Sequence, residues 1–228
     1  MVRRGAIGLG LLLLVVSSLL MIAVAVRRYP ELWLQHGSLV YVLEPVCALV
    51  IYAVAFVWIA RTHGPWWDVV LRNALPIGLI AALVDVTGLT FESGLFRSPT
   101  GAALQISVML TTFLLWGFAG WRAARALQSS WAGVLASVIS AGVCATIAVT
   151  AGFVIEFFIA PPSPAYVVLW GEYQRSGWTD ARAFGLANTL DSGFSHLTLS
   201  LIVAAVFGVI ASMIGRMMSR TSEQGKLA

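Results

Sequence analysis

The sequence predicts an all-α fold, a polytopic transmembrane helix bundle of about six spans with an internal repeat of two helical hairpins. Three observations carry this. The 228 residues are 59% hydrophobic and only 11% charged, where soluble domains carry roughly 25% charged residues. Six apolar stretches reach the ~20 residues that cross a bilayer as a helix. Two pairs of those stretches match at a constant shift, which carries Arg61 onto Arg125. A water-soluble chain of this length could not hide so much apolar surface.

The elements follow in order. Gly5–Val26 is free of charge and follows Arg3 and Arg4. Ala23-Val24-Ala25 looks like a signal cleavage site, but a signal h-region has only roughly 7–15 residues. The longer stretch is expected to stay as an uncleaved anchor, and with the interfacial segment Tyr29–Ser38, which contains Pro30 and Trp33, it makes up residues 1–38. The second span, Leu39–Ala60, carries Glu44 and Pro45, and the third, Asp68–Phe91, carries Pro76 and Asp85. Pro76 frees a carbonyl and is expected to kink its helix. The fourth span is Ala102–Trp121; the fifth, Trp131–Ala160, is long enough to tilt or protrude. Residues 39–96 and 97–160 are then the two hairpin units. Pro161, Pro162 and Pro164 open the segment 161–185 and bar helix continuation. Within it, Tyr166–Arg175 mixes apolar and polar residues, as an interfacial helix would. Thr179 and Asp180 are candidate N-caps for the last span, Leu186–Gly215, which leads into a tail within 186–228.

Placing the N-terminus in the cytoplasm leaves Arg3, Arg4, Arg61, Arg72, Arg122, Arg125, Arg216, Arg220 and Lys226 inside. Arg27, Arg28, Arg97, Arg175 and Arg182 fall outside. The positive-inside rule therefore favours both termini in the cytoplasm of a cell (inner or plasma) membrane, against the local signal of Arg27-Arg28. Trp58, Trp66, Trp67, Trp121 and Trp131 gather at one set of span ends, and Trp33, Trp170 and Trp178 at the other, as interfacial aromatic belts do.

The repeat aligns Ala60-Arg61 with Ala124-Arg125, Trp67 with Trp131, Gly78 with Gly142, Gly88 with Gly152 and Glu92 with Glu156. Trp, Arg and Glu are not generic membrane filler, so their coincidence points to duplication, and repeats of this kind occur in transporters. The shared Gly-x-x-x-Glu would set Gly88 and Gly152 on one face for close helix approach, with a glutamate one turn further on. Val149 stands where the first copy has Asp85.

An ionisable residue at mid-membrane costs at least ~2.5–3.5 kcal/mol. Asp85 lies deepest in its span and must pair, protonate, or face protein or water. Glu44, Asp191 and His196 fall at similar depth. In the last span Asn188, Ser192, His196 and Ser200 recur every fourth residue, flanked by Asp191, Ser195 and Thr198. Further along, Ala204, Gly208, Ser212 and Gly215 form a small-residue seam. The expected site is an outward cluster of Glu44, Asp85, Glu92, Glu156, Asp191 and His196, with Arg97 as counter-charge, for a proton, a cation or a cationic substrate. The blander expectation leaves Glu92, Glu156 and Asp191 solvated among headgroups, and His196 as a hydrogen-bonded packing residue.

Other classes are disfavoured. The net charge of +4 reflects topology, and no basic stripe is interleaved with aromatics, so nucleic acid is not an expected partner. Cys47 and Cys144 form no CxxC or Cys/His group, so neither a disulfide framework nor a metal is expected. Gly193-Phe194-Ser195-His196 superficially resembles a serine-protease motif. Adjacent helical residues point apart, however, so His196 is not placed to serve Ser195 as its base. No HExxH, Walker A or dinucleotide-binding glycine loop is present, and no enzyme is expected. The cofactor is open: a haem with two axial histidines lacks a second intramembrane histidine, while a pigment or haem on His196 alone remains compatible. The expected partners are the lipid bilayer, further copies of the chain or other membrane subunits. The leading reading is a small transporter or ion-conducting protein, or the membrane subunit of one. The alternative is a non-catalytic structural or assembly subunit of a larger membrane complex.

Overall fold

The computed structural model describes residues 2–35, 37–92 and 101–224, with side chains placed for 7–35, 37–90 and 103–218. Six helices are long and apolar enough to cross a membrane. They are α1 (Val2–Arg28), α3 (Leu39–Arg61), α4 (Pro65–Glu92), α5 (Gly101–Leu127), α6 (Ser130–Val154) and α9 (Ala181–Gln224). Three short helices, α2 (Glu31–Leu34), α7 (Pro164–Val167) and α8 (Gly171–Ser176), lie in the connections. A π-helical turn, Ile155–Ile159, continues α6. All regular structure among the described residues is helical.

Most spans begin and end within a few residues of the apolar stretches that predict them. Helix α9 does not: it starts before Leu186 and runs past Gly215 to a length of 44 residues. At ~1.5 Å per residue that is about 66 Å, twice the ~30 Å hydrocarbon core, so it projects beyond any bilayer it crosses. Asp180 starts it, its Oδ1 accepting from the backbone N–H groups of Arg182 (2.7 Å) and Ala183 (2.9 Å). The expected interfacial helix over Tyr166–Arg175 is instead two short pieces, broken between Val167 and Gly171.

Helix α6 is the axis of the bundle. In its most apolar stretch 72% of residues are buried, against 28% in α1, α5 and α9. It packs against α1, α4, α5 and α9. Its sequence explains the position. Ala132, Gly133, Ala136, Ser137, Ser140, Ala141, Gly142, Cys144, Ala145 and Ala148 are all small and all buried. Lipid gives helices little hydrophobic reason to associate, so close backbone approach must supply the packing energy. The approach is close: a Cβ built on Gly133 would stand 2.7 Å from Ser212 Cβ and 2.9 Å from Gly120 O. Two turns further along α6 a Cβ on Gly78 of α4 would stand 2.7 Å from Ser140 O. Gly208 and Gly215 of α9 meet Ser137 and Val134 of α6 and Trp121 of α5 at similar range.

The outer helices are two-faced. In α1, Leu11, Val15, Ser18, Ile22 and Ala25 are buried, while Leu9, Leu13, Val16, Leu20 and Val24 are exposed. These sets alternate at helical spacing, one stripe for protein and one for lipid. Inside, Thr150 Oγ1 donates to Thr146 O, so Ser18 Oγ donates the 2.9 Å bond between the two hydroxyls. That ties α1 to α6.

The internal repeat is not shown by the fold. α5 packs along α6, whereas α3 packs on α1 and α9 and meets α4 beside their shared turn, where Trp58 and Trp67 rings lie 5.2 Å apart. Matched residues do different work: Gly78 is at a backbone crossing, while a Cβ on Gly142 would make ordinary contacts with Tyr52 at 3.6 Å and Leu201 at 3.9 Å. Pairing within a hairpin is set by which faces are small. α6 carries small buried residues along most of its length, and α1, α4, α5 and α9 all pack on it.

Candidate functional site

A cavity of about 1050 Å³ opens at the end of the bundle that carries residues 161–180. Its walls are the last turns of α6, the π-turn, the 160–170 segment and the first half of α9, with Leu89 of α4 on one side. The π-turn closes with Ala160 N–H donating to Ile155 O at 2.7 Å. Such turns occur mostly as single widened turns and frequently at functional sites. Here Ile155, Glu156 and Ala160 share the wall. The 160–170 segment is held by an aromatic cluster on α9: Phe184 lies within 6.3 Å, centroid to centroid, of Trp170, Tyr173 and Trp178. Gln35 Nε2 donates to Gly177 O at 3.1 Å, fastening the same layer to the chain after α2.

The polar face of α9 lines this cavity. Asn188, Ser192 and His196 are on its wall, as are Thr189, Ser163, Tyr166 and Glu156. Gly193 lets α9 come close to Phe153 of α6, whose Cε1 would be 2.9 Å from a Cβ there. Phe153 is 1% exposed and stacks on Phe157 at 5.3 Å. Phe153 belongs to the apolar part of the wall, with Leu89, Val149, Ile155 and Leu169.

His196 forms the floor and meets Asp85. Its Nε2 lies 2.9 Å from Asp85 Oδ2, with the imidazole side chain 33% and the carboxylate side chain 15% exposed. The Nε2 atom itself is buried and makes no aligned hydrogen bond. The contact is an ion pair when the imidazole is protonated. Cys144 Sγ–H donates to the same Oδ2 at 3.6 Å, and the Trp116 indole lies beside that thiol. A polar file therefore runs from cavity to His196 to Asp85 to Cys144. The two ends of the His–Asp contact come from helices that each pack on α6. Asp85 Oδ2 thus meets both His196 of α9 and Cys144 of α6. Tyr52 O–H donates to Leu197 O at 2.7 Å, which pins α3 to α9 beside His196.

The cluster expected from the sequence is thus divided. Asp85, His196 and Glu156 share the cavity and its floor. Glu44 lies elsewhere, in a groove of about 330 Å³ between α3 and α9 with Cys47, Tyr52 and Phe194. Asp191 is half-buried and not on the cavity wall; five residues is about 1.4 helical turns, so Asp191 and His196 point away from each other on α9. The Glu92 side chain and Arg97 lie outside the described residues. Gly88 faces Val108 of α5, whose Cγ1 would be 2.8 Å from a Cβ, while Gly152 has only Leu89 at 3.9 Å. Gly208, Ser212 and Gly215 all lie buried against α5 and α6.

Three participants were not singled out from sequence. Cys144 reads there as a small buried residue. The π-turn has no sequence signature, and the Tyr166 and Trp170 rings read as interfacial anchors. Among the described residues no group of three or more His, Cys, Asp and Glu is arranged to hold a metal ion. No family model matches the chain, and no curated protein or solved structure matches it.

Proposed function

We propose that this protein is a small proton- or cation-coupled membrane transporter, or the ion-conducting subunit of one, with the His196–Asp85 pair as its ion-binding group. The carrying observation is that pair, 2.9 Å apart at the floor of a cavity open at one end of the bundle. A carboxylate this deep in an apolar helix is costly unless it is paired or hydrated, and here it is given an imidazole, a side chain that can carry a proton. Protonation of His196 makes an ion pair with Asp85 and its loss dissolves it, so one proton changes the charge at the floor of the cavity. A cation entering from the cavity would compete with that proton for the same carboxylate. Glu156 also stands on the wall of this cavity. The reading places the cavity on the outer side of the membrane, following the distribution of Arg and Lys.

The test is flux in liposomes of the purified full chain, followed with an internal pH-sensitive dye under imposed proton and cation gradients. Asp85→Asn is expected to reduce flux by at least tenfold while elution profile and helicity stay as in wild type, and His196→Gln to do the same. Wild-type flux in either variant would sink the assignment of that residue. Vesicles of the unaltered chain that carry no flux would sink transport by this chain alone and favour a structural subunit.

A further inference from the structure

We propose that the polar file does not stop at Cys144 but continues into a buried hydrogen-bonding site of Thr112, Trp116 and Ser140, which holds water and relays protons, so that the ion handled by the His196–Asp85 pair is a proton. This rests on the transport reading and names its ion. Among the described residues, Thr112 Oγ1, Trp116 Nε1 and Ser140 Oγ are buried and make no hydrogen bond. The three residues are 2%, 1% and 0% exposed. Buried polar groups are nearly always partnered, and leaving one unpaired is costly. A hydroxyl on a helix has a ready partner, the carbonyl one turn back. Thr87, Ser107, Thr111, Thr146 and Thr150 all use it, and Thr111 is the immediate neighbour of Thr112. Thr112 and Ser140 do not. Their hydroxyls are set away from their own backbone, as they would be to serve another partner.

The three groups converge on Asp85. Helices α4 and α5 run in opposite directions and cross where Gly88 meets Val108. Asp85 stands three residues before Gly88 and Thr112 four after Val108, so both lie about one turn below that crossing, on the side away from the cavity mouth. Trp116 follows Thr112 on the same stripe of α5, and its indole lies beside the Cys144 thiol that donates to Asp85 Oδ2. Ser140 stands one turn before Cys144 on α6, where Gly78 of α4 crosses. The neighbours are short: Ala81, Ala82, Ala141 and Ala204 cluster with Trp116 and Cys144. The donor set selects the occupant. An indole N–H only donates, so it turns a positive hydrogen toward the site and opposes a bare cation, whereas a hydroxyl both donates and accepts. Water uses partners of both kinds. Protonated Asp85 gives its proton to water, and each oxygen beyond it accepts one proton and releases another. One proton moves, and only O–H bonds form and break. Trp116 does not relay; its N–H orients the water.

Liposome flux of the purified full chain tests the ion, first under a proton gradient and then under sodium and potassium gradients at equal pH on both sides. Flux is expected under the first and not under the others. Thr112→Val keeps the shape of the side chain without its hydroxyl, and Ser140→Ala removes the second hydroxyl. Each is expected to cut proton flux severalfold, while Thr112→Ser, which keeps a hydroxyl, retains most of it. The unfolding temperature in detergent tests the site without reference to flux. Removing a hydroxyl that binds water loses its hydrogen bonds, so Thr112→Val and Ser140→Ala should both unfold at lower temperature. Removing an unpaired hydroxyl from a dry core relieves it, and both would unfold at higher temperature. Full proton flux in both variants, sodium or potassium flux equal to that of protons, or raised unfolding temperatures in both overturns the proposal. A chain that carries no flux at all removes the transport reading instead; lowered unfolding temperatures would then keep the water site, and raised ones would remove it as well.

Discussion

The two halves of α9 show how one helix serves two different solvents. Toward the cavity end, Asn188, Ser192 and His196 look into open space, and the neighbouring chain stands back behind a π-turn and a layer of aromatic rings. Toward the other end, Ala204, Gly208, Ser212 and Gly215 are buried and touch α5 and α6 almost backbone to backbone. The first half keeps its polar groups because water can reach them. The second half keeps small side chains because nothing else fits. Its hydroxyl is used locally, Ser212 Oγ donating to Val209 O at 2.8 Å in its own helix, while Ser137 of the facing α6 donates to Trp116 O of α5. The difference teaches that polarity within a membrane helix has no single meaning. A serine on the cavity wall is a ligand candidate, and a serine in the seam is a spacer.

The comparison breaks most visibly in the dry half. Gly133→Val should be the most damaging substitution in the bundle, because a Cβ alone would already lie within 2.9 Å of Ser212, Ala124 and the Gly120 carbonyl. Overpacking of this kind costs about 3 kcal/mol, and two of the obstructing groups belong to helices that must move together. The expected outcome is a sharp loss of monodisperse protein and a strongly lowered unfolding temperature in detergent. A variant with wild-type yield and unfolding temperature would mean that α5, α6 and α9 are not packed as described.

Much of this was legible before any coordinates. Runs of some twenty apolar residues specify spans by length alone, so α3, α4 and α5 begin within a few residues of where Leu39, Asp68 and Ala102 place them. The four-residue recurrence of Asn188, Ser192 and His196 names a polar face without naming what it looks at. What periodicity cannot supply is contact between helices. Asp85 and His196 each stand out as costly residues, but that they meet, with Cys144 on the same carboxylate oxygen, is set by how α4 and α9 pack on α6. Glu44 stands out equally and is drawn away with α3, because α3 lies on α1 and α9 instead of on α4. The matched pairs of spans two to five likewise carry no information about which helix becomes the hub. The π-turn is invisible because an extra residue per turn leaves the apolar run around Glu156 unbroken.

A smaller effect sharpens where the wet half ends. Tyr52 is 6% exposed and its hydroxyl donates to the carbonyl of Leu197, the residue next to His196. Tyr52→Phe removes one interhelical hydrogen bond and little else. It should lower stability by about 1 kcal/mol, read as a modest drop in unfolding temperature. If α3 helps hold His196 over Asp85, flux in liposomes should fall severalfold in the same variant. Reduced stability with full flux would confine the working site to α4, α6 and α9, and make α3 a support that the pair does not feel.

The finest test uses one chemical change at two places. Gly133 and Gly152 both lie in α6, and each gains a single methyl on substitution by Ala. Helix propensity alone favours Ala by roughly 1 kcal/mol at either position. At Gly133 the methyl has no room, and steric conflict should outweigh that gain and lower the unfolding temperature. At Gly152 the methyl would meet only Leu89 Cδ1 at 3.9 Å, an ordinary contact on the cavity wall. There the propensity gain should survive, leaving the unfolding temperature unchanged or a few degrees higher. Opposite signs for the two alanines would separate an open half of α6 from a closed one. Equal destabilisation would mean that Gly152 packs as tightly as Gly133 and that the cavity beside it is filled by protein.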